Sequence, residues 1–592
     1  MADSYITYTE QSIQSAFKEH YLVPEYQREY VWEHNQVEQL LSDLLEAYGY
    51  NPDKAYFLGT IVTCKSANKF ELIDGQQRMT TFFILLCTLK HTYKEAGEPT
   101  DFLQFLLSSS VFDDDGNTIN CPHLTLQYED AGDCLQRIES GAEPPESLSL
   151  SGQRLFSAAD TIRKFQNEHF SNNSSLDMKA LKKFVKFLLT KTSFIRIETT
   201  NVTDALKIFE TINQRGKGLD SMDLLKNMIF RQVSRAEFET LNSNWKNILN
   251  ALEKLDEKPL RFLRYFIMAN YDTSSEKDGI LREDRIYAWI CENDAQCNYV
   301  KKPFEFVRRM QENVDLYAAY RNPSDAIESN LHLRDIPMLA GSSYKLHLML
   351  LLAASHMEPQ ALDCFKEVLE SVIYYAVINK IAPNVTERTF VSWCPKLRSI
   401  RELPELNAFV EHAVKPVVAD WKQNNLSNFL RLGLDSMQQY RIKFILGKIT
   451  AYIDQLRMNN PTVTTMQAYL VSSVEIEHIM PQNCSDKAGY GMTAAEFPVY
   501  LNRLGNLTLL ENSLNKSIKN DPYPVKCTAY QMSAFYLTRS IPQLVYQGGP
   551  TAGNAINKTN KLLSSWNVWN KQSIEERQQM LYDLSERIWN IF

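Results

Sequence analysis

The chain has 592 residues, of which 44% are hydrophobic and 23% are charged, and its formal net charge is −8. This length predicts about three domains with well-buried cores, and the composition excludes a disordered or fibrous chain. Because the net charge is negative, any contact with nucleic acid requires local basic patches.

The 10 cysteines are scattered along the chain, and none forms a Cys-x-x-Cys pair, which argues against a structural zinc site. Unpaired cysteines fit a reducing compartment. The sequence also shows neither a signal-peptide pattern nor an apolar run long enough to span a membrane. We therefore expect a cytoplasmic protein that makes no membrane contact.

The first 90 residues predict a loop, two strands and two helices. The loop Val23–Trp32 is rich in aromatic and polar residues, and apolar residues recur at helical spacing over 37–45. The segments Tyr56–Val62 and Lys69–Asp74 are typical of strands, and Gln76–Lys90 is typical of a long helix.

The turn between the second strand and the long helix has the residues of an anion site. The first turn of a helix presents free N–H groups to anions, and Arg78 can clamp a phosphate. Asp74 can hold a metal ion or activate a water. In the alternative reading, Asp74 is only a helix cap and Arg78 a surface charge. The pair Gln27 and Arg28 forms a second Gln/Arg cluster, which favours the functional reading.

The next 140 residues contain weaker signals. Asp113–Asn117 predicts an exposed acidic insertion, and Met178–Thr190 predicts a helix whose lysines either face solvent or contact DNA. Asn201–Asn227 predicts two helices joined by the turn Arg215–Gly218. That turn fits either a phosphate site or a plain connection between helices. Residues 235–430 predict helices that carry no evident chemistry and couple the two ends of the chain.

Three ordered segments near the C-terminus predict a ββα-metal nuclease site. Val474–Pro481 is typical of a strand that ends in an acid–His pair, Leu504–Leu510 of a second strand opened by Gly-Asn, and Asn512–Ser517 of a short helix. Adjacent strand residues face opposite sides, so the acid and His converge only where the strand ends. Pro481 makes such an end plausible because it cannot continue a ladder.

Cleavage of a phosphodiester with one metal ion needs a base, a cation and a rigid frame. His478 can be the base, and Glu477 and Asn515 offer oxygen ligands for Mg²⁺ or Mn²⁺. Asn506 can orient the His or close the loop. In the alternative reading, the acid–His pair is a surface pair and the asparagines are helix caps.

This segment resembles the HNH, or His-Me finger, endonucleases, in the variant at the C-terminus of GmrSD-type modification-dependent restriction enzymes. The resemblance implies that His478 is the general base, that Glu477 and Asn515 bind metal, and that Asn506 is supporting. The last position of the pattern is often His, and Asp is more frequent than Glu before the base. Glu477 is therefore the ligand that departs most from the pattern.

The front of the chain resembles the N-terminal domain of the same enzymes, which has a ParB/sulfiredoxin-like fold, and of the SspE-like defence proteins. The matching motifs are Tyr26–Trp32, Ile73–Arg78 and Phe209–Gly216. The resemblance implies a site that binds and hydrolyses a nucleoside triphosphate such as GTP, with Asp74 and Arg78 as catalytic groups, beside a loop that senses modified DNA. The nucleotide site would consist of Asp74, Gly75, Gln76, Gln77, Arg78, Asn213 and Arg215, and the DNA-sensing loop of Tyr26, Gln27, Arg28, Tyr30 and Trp32.

We thus predict a mainly helical α+β protein: a ParB-like domain (1–232), a helical coupling region (233–430) and an HNH nuclease domain (431–592). The predicted function is an NTP-regulated, metal-dependent endonuclease of bacterial anti-phage defence that cuts or nicks double-stranded, modified phage DNA. Whether it forms a homo-oligomer stays open. The alternatives are a nucleotide- or DNA-sensing regulator with a non-catalytic nuclease-like tail, and a toxin that cuts RNA.

Overall fold

The computed structural model describes residues 6–24, 27–66, 69–112, 118–128, 131–172, 175–200, 202, 204–205, 208, 221–324, 330–458, 466–483, 488–549 and 553–591. The chain divides into two compact units. One comprises Met1–Leu249 and Tyr287–Arg308, and the other comprises Asn250–Ile286 and Arg309–Phe592. The predicted helical coupling region thus contributes to both units, and the three-domain division stays a prediction.

A mixed six-stranded sheet forms the centre of the first unit, with strand order β1-β10-β3-β4-β2-β7. Strands β3 and β4 form an antiparallel pair, whereas β10 runs parallel to β3 and β2 runs parallel to β4. Two small hairpins, β5–β6 and β8–β9, lie outside this sheet. In chain order the strands are β1 (Ile6–Ser12), β2 (Tyr21–Val23), β3 (Tyr56–Ser66), β4 (Lys69–Asp74), β5 (Ser108–Phe112), β6 (Thr118–Pro122), β7 (Leu124–Leu126), β8 (Ser171–Asn172), β9 (Ser175–Leu176) and β10 (Thr192–Thr199).

The long helix Gln76–Glu95 fills the core of this unit. Its residues 79–89 are buried on every face, which is typical of a helix covered all round by other elements. Neighbouring helices supply that cover. The described α-helices that lie wholly within this unit are Ile13–Ala16, His34–Tyr50, Gln76–Glu95, Asp101–Leu107, Ala131–Ser140, Leu150–Phe170, Met178–Thr190, Ser221–Phe230 and Asp294–Cys297.

The rest of the described chain is mainly helical, as predicted for residues 235–430. Further α-helices span Phe238–Lys254, Pro259–Asn270, Ile286–Glu292, Pro303–Arg321, Asn330–Ala340, Leu346–Ala354, Pro359–Ile378, Pro383–Leu397, Leu403–Phe409, Lys415–Trp421 and Asn425–Phe429. Those that follow are Gln439–Met458, Gln467–Leu470, Glu496–Leu501, Asn512–Ile518, Tyr523–Met532, Tyr536–Arg539, Ala555–Asn560 and Lys571–Ile588.

Local sequence patterns predicted the major elements well. Met178–Thr190 has the predicted bounds, because Asp177 caps it by accepting a hydrogen bond from the Ala180 N–H at 3.0 Å. Strand β4 also has its predicted bounds, whereas β3 continues four residues past the predicted end at Val62. The predicted insertion Asp113–Asn117 lies outside the described residues.

In the second unit, a two-stranded antiparallel sheet and a long helix lie next to one another. Strands β11 (Val474–His478) and β12 (Leu507–Glu511) form the sheet, and β12 packs against helix Gln439–Met458. Asp454 on that helix accepts hydrogen bonds from the Tyr536 N–H at 3.0 Å and the Tyr469 hydroxyl at 3.1 Å. The helix is thereby tied to segments on both sides of the hairpin in sequence.

A membrane-spanning helix is not found within the described ranges, since no helix there combines the necessary length with an apolar composition.

Candidate active site

The predicted ββα arrangement is present around His478. His478 is the last residue of β11 and pairs with Leu507, the first residue of β12. Helix Asn512–Ile518 follows β12 directly. The strand ends three residues before Pro481, so Glu477 and His478 both border one cleft although they are neighbours in a strand.

This cleft, which we call the β11–β12 cleft, has a volume of about 320 Å³. Amide and cationic side chains dominate its walls, and Lys516 and Lys519 are exposed there. Lys519 has a backbone φ of 39°, an uncommon conformation for a residue with a side chain. The lining residues are Ile476, Glu477, His478, Gln482, Asn515, Lys516, Lys519, Asn520 and Lys526.

The imidazole of His478 is half-buried and hydrogen-bonded through both ring nitrogens. Its Nε2 lies 3.3 Å from Asn502 Oδ1, and its Nδ1 lies 2.9 Å from Gln482 Nε2. Burial lowers the pKa of His478 below its ordinary value, and the nearby Lys526 acts in the same direction. A lowered pKa keeps the ring neutral at neutral pH, as a general base requires.

The carboxylate of Glu477 is buried and already has partners. Its Oε1 accepts hydrogen bonds from Lys526 Nζ at 2.6 Å and from the Tyr530 hydroxyl at 3.0 Å. Lys526 also donates to the backbone carbonyl of His478 at 2.7 Å. Burial raises the pKa of Glu477, and the ammonium of Lys526 opposes that rise. Lys526 therefore fixes both the acid and the backbone of the His beside it.

Asn506 closes the loop, which is one of the two roles predicted for it. Its side chain is fully buried. Its Oδ1 accepts from the Met480 N–H at 2.8 Å and from Trp569 Nε1 at 2.9 Å, while its Nδ2 donates to the Leu501 carbonyl at 2.8 Å. These bonds hold the chain just after His478, and the described hydrogen bonds of Asn506 do not include one to the His478 ring.

Asn515 lies on the helix side of the cleft. Its Nδ2 donates to Glu475 Oε2 at 2.6 Å. Because the carboxylate takes the NH₂ group, the other end of the amide, Oδ1, is left as an acceptor on a residue that lines the cleft. The structure thus brings Glu477, His478 and Asn515 to one cleft.

At the front of the chain lies the turn Asp74–Arg78, which we call the Asp-Gly turn. Its conformation depends on a glycine and on a buried carboxyl group. Gly75 has φ of 89°, and a Cβ there would lie 2.5 Å from Ile61 Cγ2. Only glycine fits this position without a shift of its surroundings. Asp74 Oδ1 accepts from the Gly75 N–H at 2.8 Å, and burial raises the pKa of this carboxyl.

The last two residues of the turn, Gln77 and Arg78, make hydrogen bonds to the protein backbone. Arg78 Nη2 donates to the Thr60 carbonyl at 2.6 Å, and Nη1 donates to the Leu58 carbonyl at 2.5 Å. Gln77 Oε1 accepts from the Val31 N–H at 2.9 Å, and its Nε2 donates to the Glu29 carbonyl at 2.9 Å. Arg78 thus binds strand β3, and Gln77 binds the backbone of the loop at Glu29 and Val31. The side chain of Gln76 is half-buried.

The predicted sensing loop is partly in the core. Tyr30 is fully buried, and its hydroxyl lies 2.8 Å from Thr81 Oγ1. Trp32 is half-buried against the same core, and Arg28 is half-buried and has a partner. Gln27 is 5% exposed, and its Nε2 has no hydrogen-bond partner among the described residues.

Three of the predicted site residues lie outside the described residues, namely Tyr26, Asn213 and Arg215. Their roles, and those of the other residues of the Asp-Gly turn and its loop toward a nucleotide or DNA, stay predictions.

Comparisons with known families match both regions. The model of the N-terminal domain of GmrSD restriction endonucleases matches residues 9–230, and the model of their C-terminal domain matches residues 422–584. The chain belongs to the GmrSD restriction endonucleases. It is accordingly a defence nuclease whose substrate is DNA. A search of curated proteins gives no match to the chain.

In this GmrSD enzyme, three hydrogen-bond partners of His478 and Glu477 escaped the sequence prediction. Asn502 and Gln482 bond the His478 ring, and Lys526 bonds Glu477. Gln482 lies four residues after His478 and Asn502 four residues before Asn506, so closeness in sequence was a usable signal for both. Lys526 is 49 residues from Glu477, and no local pattern points to it.

Proposed function

We propose that this GmrSD enzyme is an HNH-type, metal-dependent DNA endonuclease whose cleavage is regulated by a nucleoside triphosphate and directed at modified phage DNA. One observation carries the nuclease part of the proposal. A half-buried imidazole of lowered pKa, His478, shares the β11–β12 cleft with cationic side chains and with the amide of Asn515. A base and a phosphate-binding surface thus lie within one cleft.

His478 is the base in this proposal. A neutral imidazole accepts a proton from water, and the bond of the ring to Asn502 holds its orientation. Lys516 and Lys519 are exposed at the cleft and are suited to bind the phosphate backbone of DNA. These lysines supply the local positive charge that a chain with a net charge of −8 needs in order to bind DNA.

The donor set in the cleft fits a hard cation held by few protein groups. The described residues contain no cluster of three or more His, Cys, Asp or Glu suited to a metal. Mg²⁺ is nonetheless commonly bound by one or two protein oxygens together with phosphate and water. Glu477, through the oxygen that does not face Lys526, and Asn515, through Oδ1, would hold it. When bound, the ion would stabilise charge on the phosphate and on the leaving oxygen.

The Asp-Gly turn supports the nucleotide part of the proposal. Helix Gln76–Glu95 is 20 residues long, and no side chain caps its first N–H groups, which favours an anion at this end. Asp74 and Gln76 are half-buried at the turn. Gln77 and Arg78 support the site by holding the neighbouring loop and strand. In this proposal the phosphates of the nucleotide bind mainly to the backbone N–H groups at the N-terminus of helix Gln76–Glu95.

The buried Glu477–Lys526 pair favours a second candidate, a regulator with a non-catalytic tail. An ammonium group 2.6 Å from the carboxylate already neutralises the acid expected to bind metal. In that case the β11–β12 cleft would bind DNA without cutting it. Cleavage and binding measured on the same preparation separate the two candidates.

The decisive experiment incubates the purified protein with supercoiled plasmid and with modified phage DNA, in Mg²⁺ or Mn²⁺, with and without GTP or ATP. We expect nicking or linearisation of DNA that depends on the divalent cation. His478→Ala should lower the rate by about 10²–10⁴-fold, because a general base contributes about that much. His412→Ala, which changes an exposed His elsewhere in the same unit, is the matched control and should cut like the wild type.

Three outcomes contradict parts of the proposal. Cleavage that survives in EDTA rejects metal dependence. Equal cleavage by His478→Ala and the wild type rejects the assigned base. DNA binding without cleavage under every condition supports the regulator instead.

The role of the Asp-Gly turn in binding and hydrolysing a nucleotide is tested separately. Asp74→Ala should reduce NTP turnover, whereas His478→Ala should leave turnover intact, because the two positions belong to separate sites. Thermal unfolding of both variants guards against loss of fold. Unchanged turnover in folded Asp74→Ala would remove the Asp-Gly turn from the nucleotide site.

A further inference from the structure

Four polar side chains form a continuous line of hydrogen bonds through the base. Asn502 Nδ2 donates to Asp435 Oδ1 at 2.8 Å, and Asn502 Oδ1 lies 3.3 Å from His478 Nε2. On the other side of the ring, Nδ1 lies 2.9 Å from Gln482 Nε2. The line therefore runs from an exposed carboxylate, through an amide, to the imidazole and a second amide.

The carboxylate at one end decides the direction of the bonds at the ring. An ionised carboxylate only accepts hydrogen bonds, so the NH₂ group of Asn502 must face Asp435. The oxygen of the same amide then faces the ring, and an amide oxygen also only accepts. His478 Nε2 must therefore carry a hydrogen, which leaves the lone pair of a neutral ring on Nδ1.

Backbone contacts hold Asp435 in reach of Asn502. The Leu434 N–H donates to the Asn502 carbonyl at 2.9 Å, and the Leu504 N–H donates to the Leu432 carbonyl at 2.8 Å. Gly433 lies between these two bonds, and a Cβ there would lie 2.1 Å from the backbone carbonyl oxygen of Asn502. This close approach requires glycine. The segment before helix Gln439–Met458 is thus clamped onto the segment that precedes β12.

Other charged groups at the cleft do not select a tautomer. Glu477 lies on the same strand as His478 and is bonded to Lys526, which also donates to the backbone carbonyl of His478. Lys516 and Lys519 line the cleft from the segment that follows β12. The described hydrogen bonds of the ring nitrogens are those to Asn502 and Gln482. The NH₂ group of Gln482 fits the same tautomer, but the described hydrogen bonds of that amide include none to a carboxylate that would orient it. Selection between the nitrogens therefore rests on the amide that Asp435 orients.

We propose that Asp435 and Asn502 are positioning residues that fix the tautomer of His478, so that Nδ1 takes the proton from the attacking water. The inference rests on the proposed nuclease function and assigns these two residues a role inside it. The Gln482 amide occupies Nδ1 in the structure and leaves when a water binds there. The proton of the water passes to Nδ1, Nε2 keeps its own, and the resulting imidazolium donates to Asn502.

Loss of the carboxylate frees the Asn502 amide to turn over. Its NH₂ group then faces Nε2, which becomes the acceptor, and the proton moves to Nδ1. In those molecules the nitrogen that faces Gln482 no longer accepts a proton. Enzymes that use His as a base depend on the correct tautomer in the same way.

The kinetic test uses bis(p-nitrophenyl) phosphate with Mn²⁺, because an activated leaving group makes the rate report on activation of the nucleophile. We expect Asp435→Ala to lower kcat about tenfold with KM unchanged, since one charge-assisted hydrogen bond is lost outside the phosphate site. Asp435→Asn keeps an oxygen that accepts from Asn502 and should restore most of kcat. Asp583→Ala is the matched control, because that exposed carboxylate also accepts from a side-chain amide, at 2.9 Å.

The spectroscopic test measures the tautomer directly. Ring-¹⁵N histidine labelling, with His478→Ala to assign the signal, should show His478 protonated at Nε2 in the wild type. Asp435→Ala should shift the population toward protonation at Nδ1, and Asp435→Asn should not. A merely structural role for Asp435 predicts no change of tautomer.

The outcomes are separable. If His478→Ala is inactive while Asp435→Ala matches the wild type in kcat and tautomer, the positioning role is wrong and the nuclease stands. If His478→Ala is as active as the wild type, the nuclease assignment itself is wrong, and the tautomer role falls with it. A wild-type ring protonated at Nδ1 overturns the positioning role whatever the kinetics.

Discussion

Carboxylate, amide and cationic side chains meet both in the β11–β12 cleft and in the Asp-Gly turn, but their hydrogen bonds lead to different places. In the cleft, His478 and Asn515 are bonded to other side chains and still line an open volume. In the turn, Gln77 and Arg78 are bonded to backbone atoms of a loop and a strand. Two sites with similar types of side chain can thus differ in function. In one the side chains are available to a ligand, and in the other they hold the backbone around the site.

This difference has a consequence for mutagenesis. Substitutions of cleft residues such as Asn515 should change activity more than stability, because their polar groups lie at an open surface. Substitutions in the turn should change stability more than activity, because they leave backbone carbonyls and N–H groups without partners. Lys526 is the exception within the cleft, since it is 1% exposed and pairs with a buried acid.

Lys526→Met should have the largest effect on stability. It leaves the Glu477 carboxylate buried without its cation, which costs about 3–5 kcal/mol of the free energy of unfolding. Chemical denaturation measures the change. Lys571→Met is the control, because its ion pair with Glu496 is about one-third exposed on both sides and should contribute at most about 1 kcal/mol. Equal losses in the two variants would show that Lys526 is not a special contact.

Arg78→Met should lower the free energy of unfolding by about 2–3 kcal/mol, because two backbone carbonyls of β3 lose a charged donor. Denaturation of the first unit, followed in the full chain, measures the loss. Arg137→Met removes a surface pair with Asp133 and serves as the control. A folded, fully stable Arg78→Met protein that fails to bind NTP would contradict this prediction. Arg78 would then be a ligand-binding residue and not a residue that stabilises the fold.

Asn515→Ala should lower kcat/KM for DNA cleavage about 10- to 100-fold, which corresponds to about 1.4–2.8 kcal/mol. Its stability should stay close to that of the wild type, because the residue is only half-buried. Ser517→Ala, on the exposed face of the same helix, is the control for helix stability. Loss of stability with unchanged cleavage would place Asn515 among the structural residues.

Gln77→Ala should have the smallest effect, about 1 kcal/mol of the free energy of unfolding, from the loss of the bonds to Val31 and Glu29. We also expect faster hydrogen exchange in residues 27–32, because Gln77 ties this loop to the long helix. Gln76→Ala in the same helical turn is the control. An unaltered exchange rate would show that the loop is held by its aromatic residues alone.

Prediction from sequence worked best where the signal was local. The order of strand, strand and helix around His478 followed from hydrophobic pattern, turn residues and Pro481 within about 45 residues. The bounds of β4 and of helix Met178–Thr190 followed from the same kinds of signal. The sheet order β1-β10-β3-β4-β2-β7 could not be derived in this way, because paired residues such as Ile6 and Thr199 are up to 193 residues apart in sequence.

The amino-acid sequence by itself indicated which residue is the candidate base, which amide lines the same cleft and where glycine stands in the Asp-Gly turn. Only the tertiary structure decided that Lys526 pairs with Glu477 and that Asn502 donates a hydrogen bond to Asp435. These partners are 49 and 67 residues apart. Helical and strand periodicities relate residues a few positions apart. A hydrogen bond between distant segments depends on how the chain folds back, and that leaves no periodic trace in the sequence.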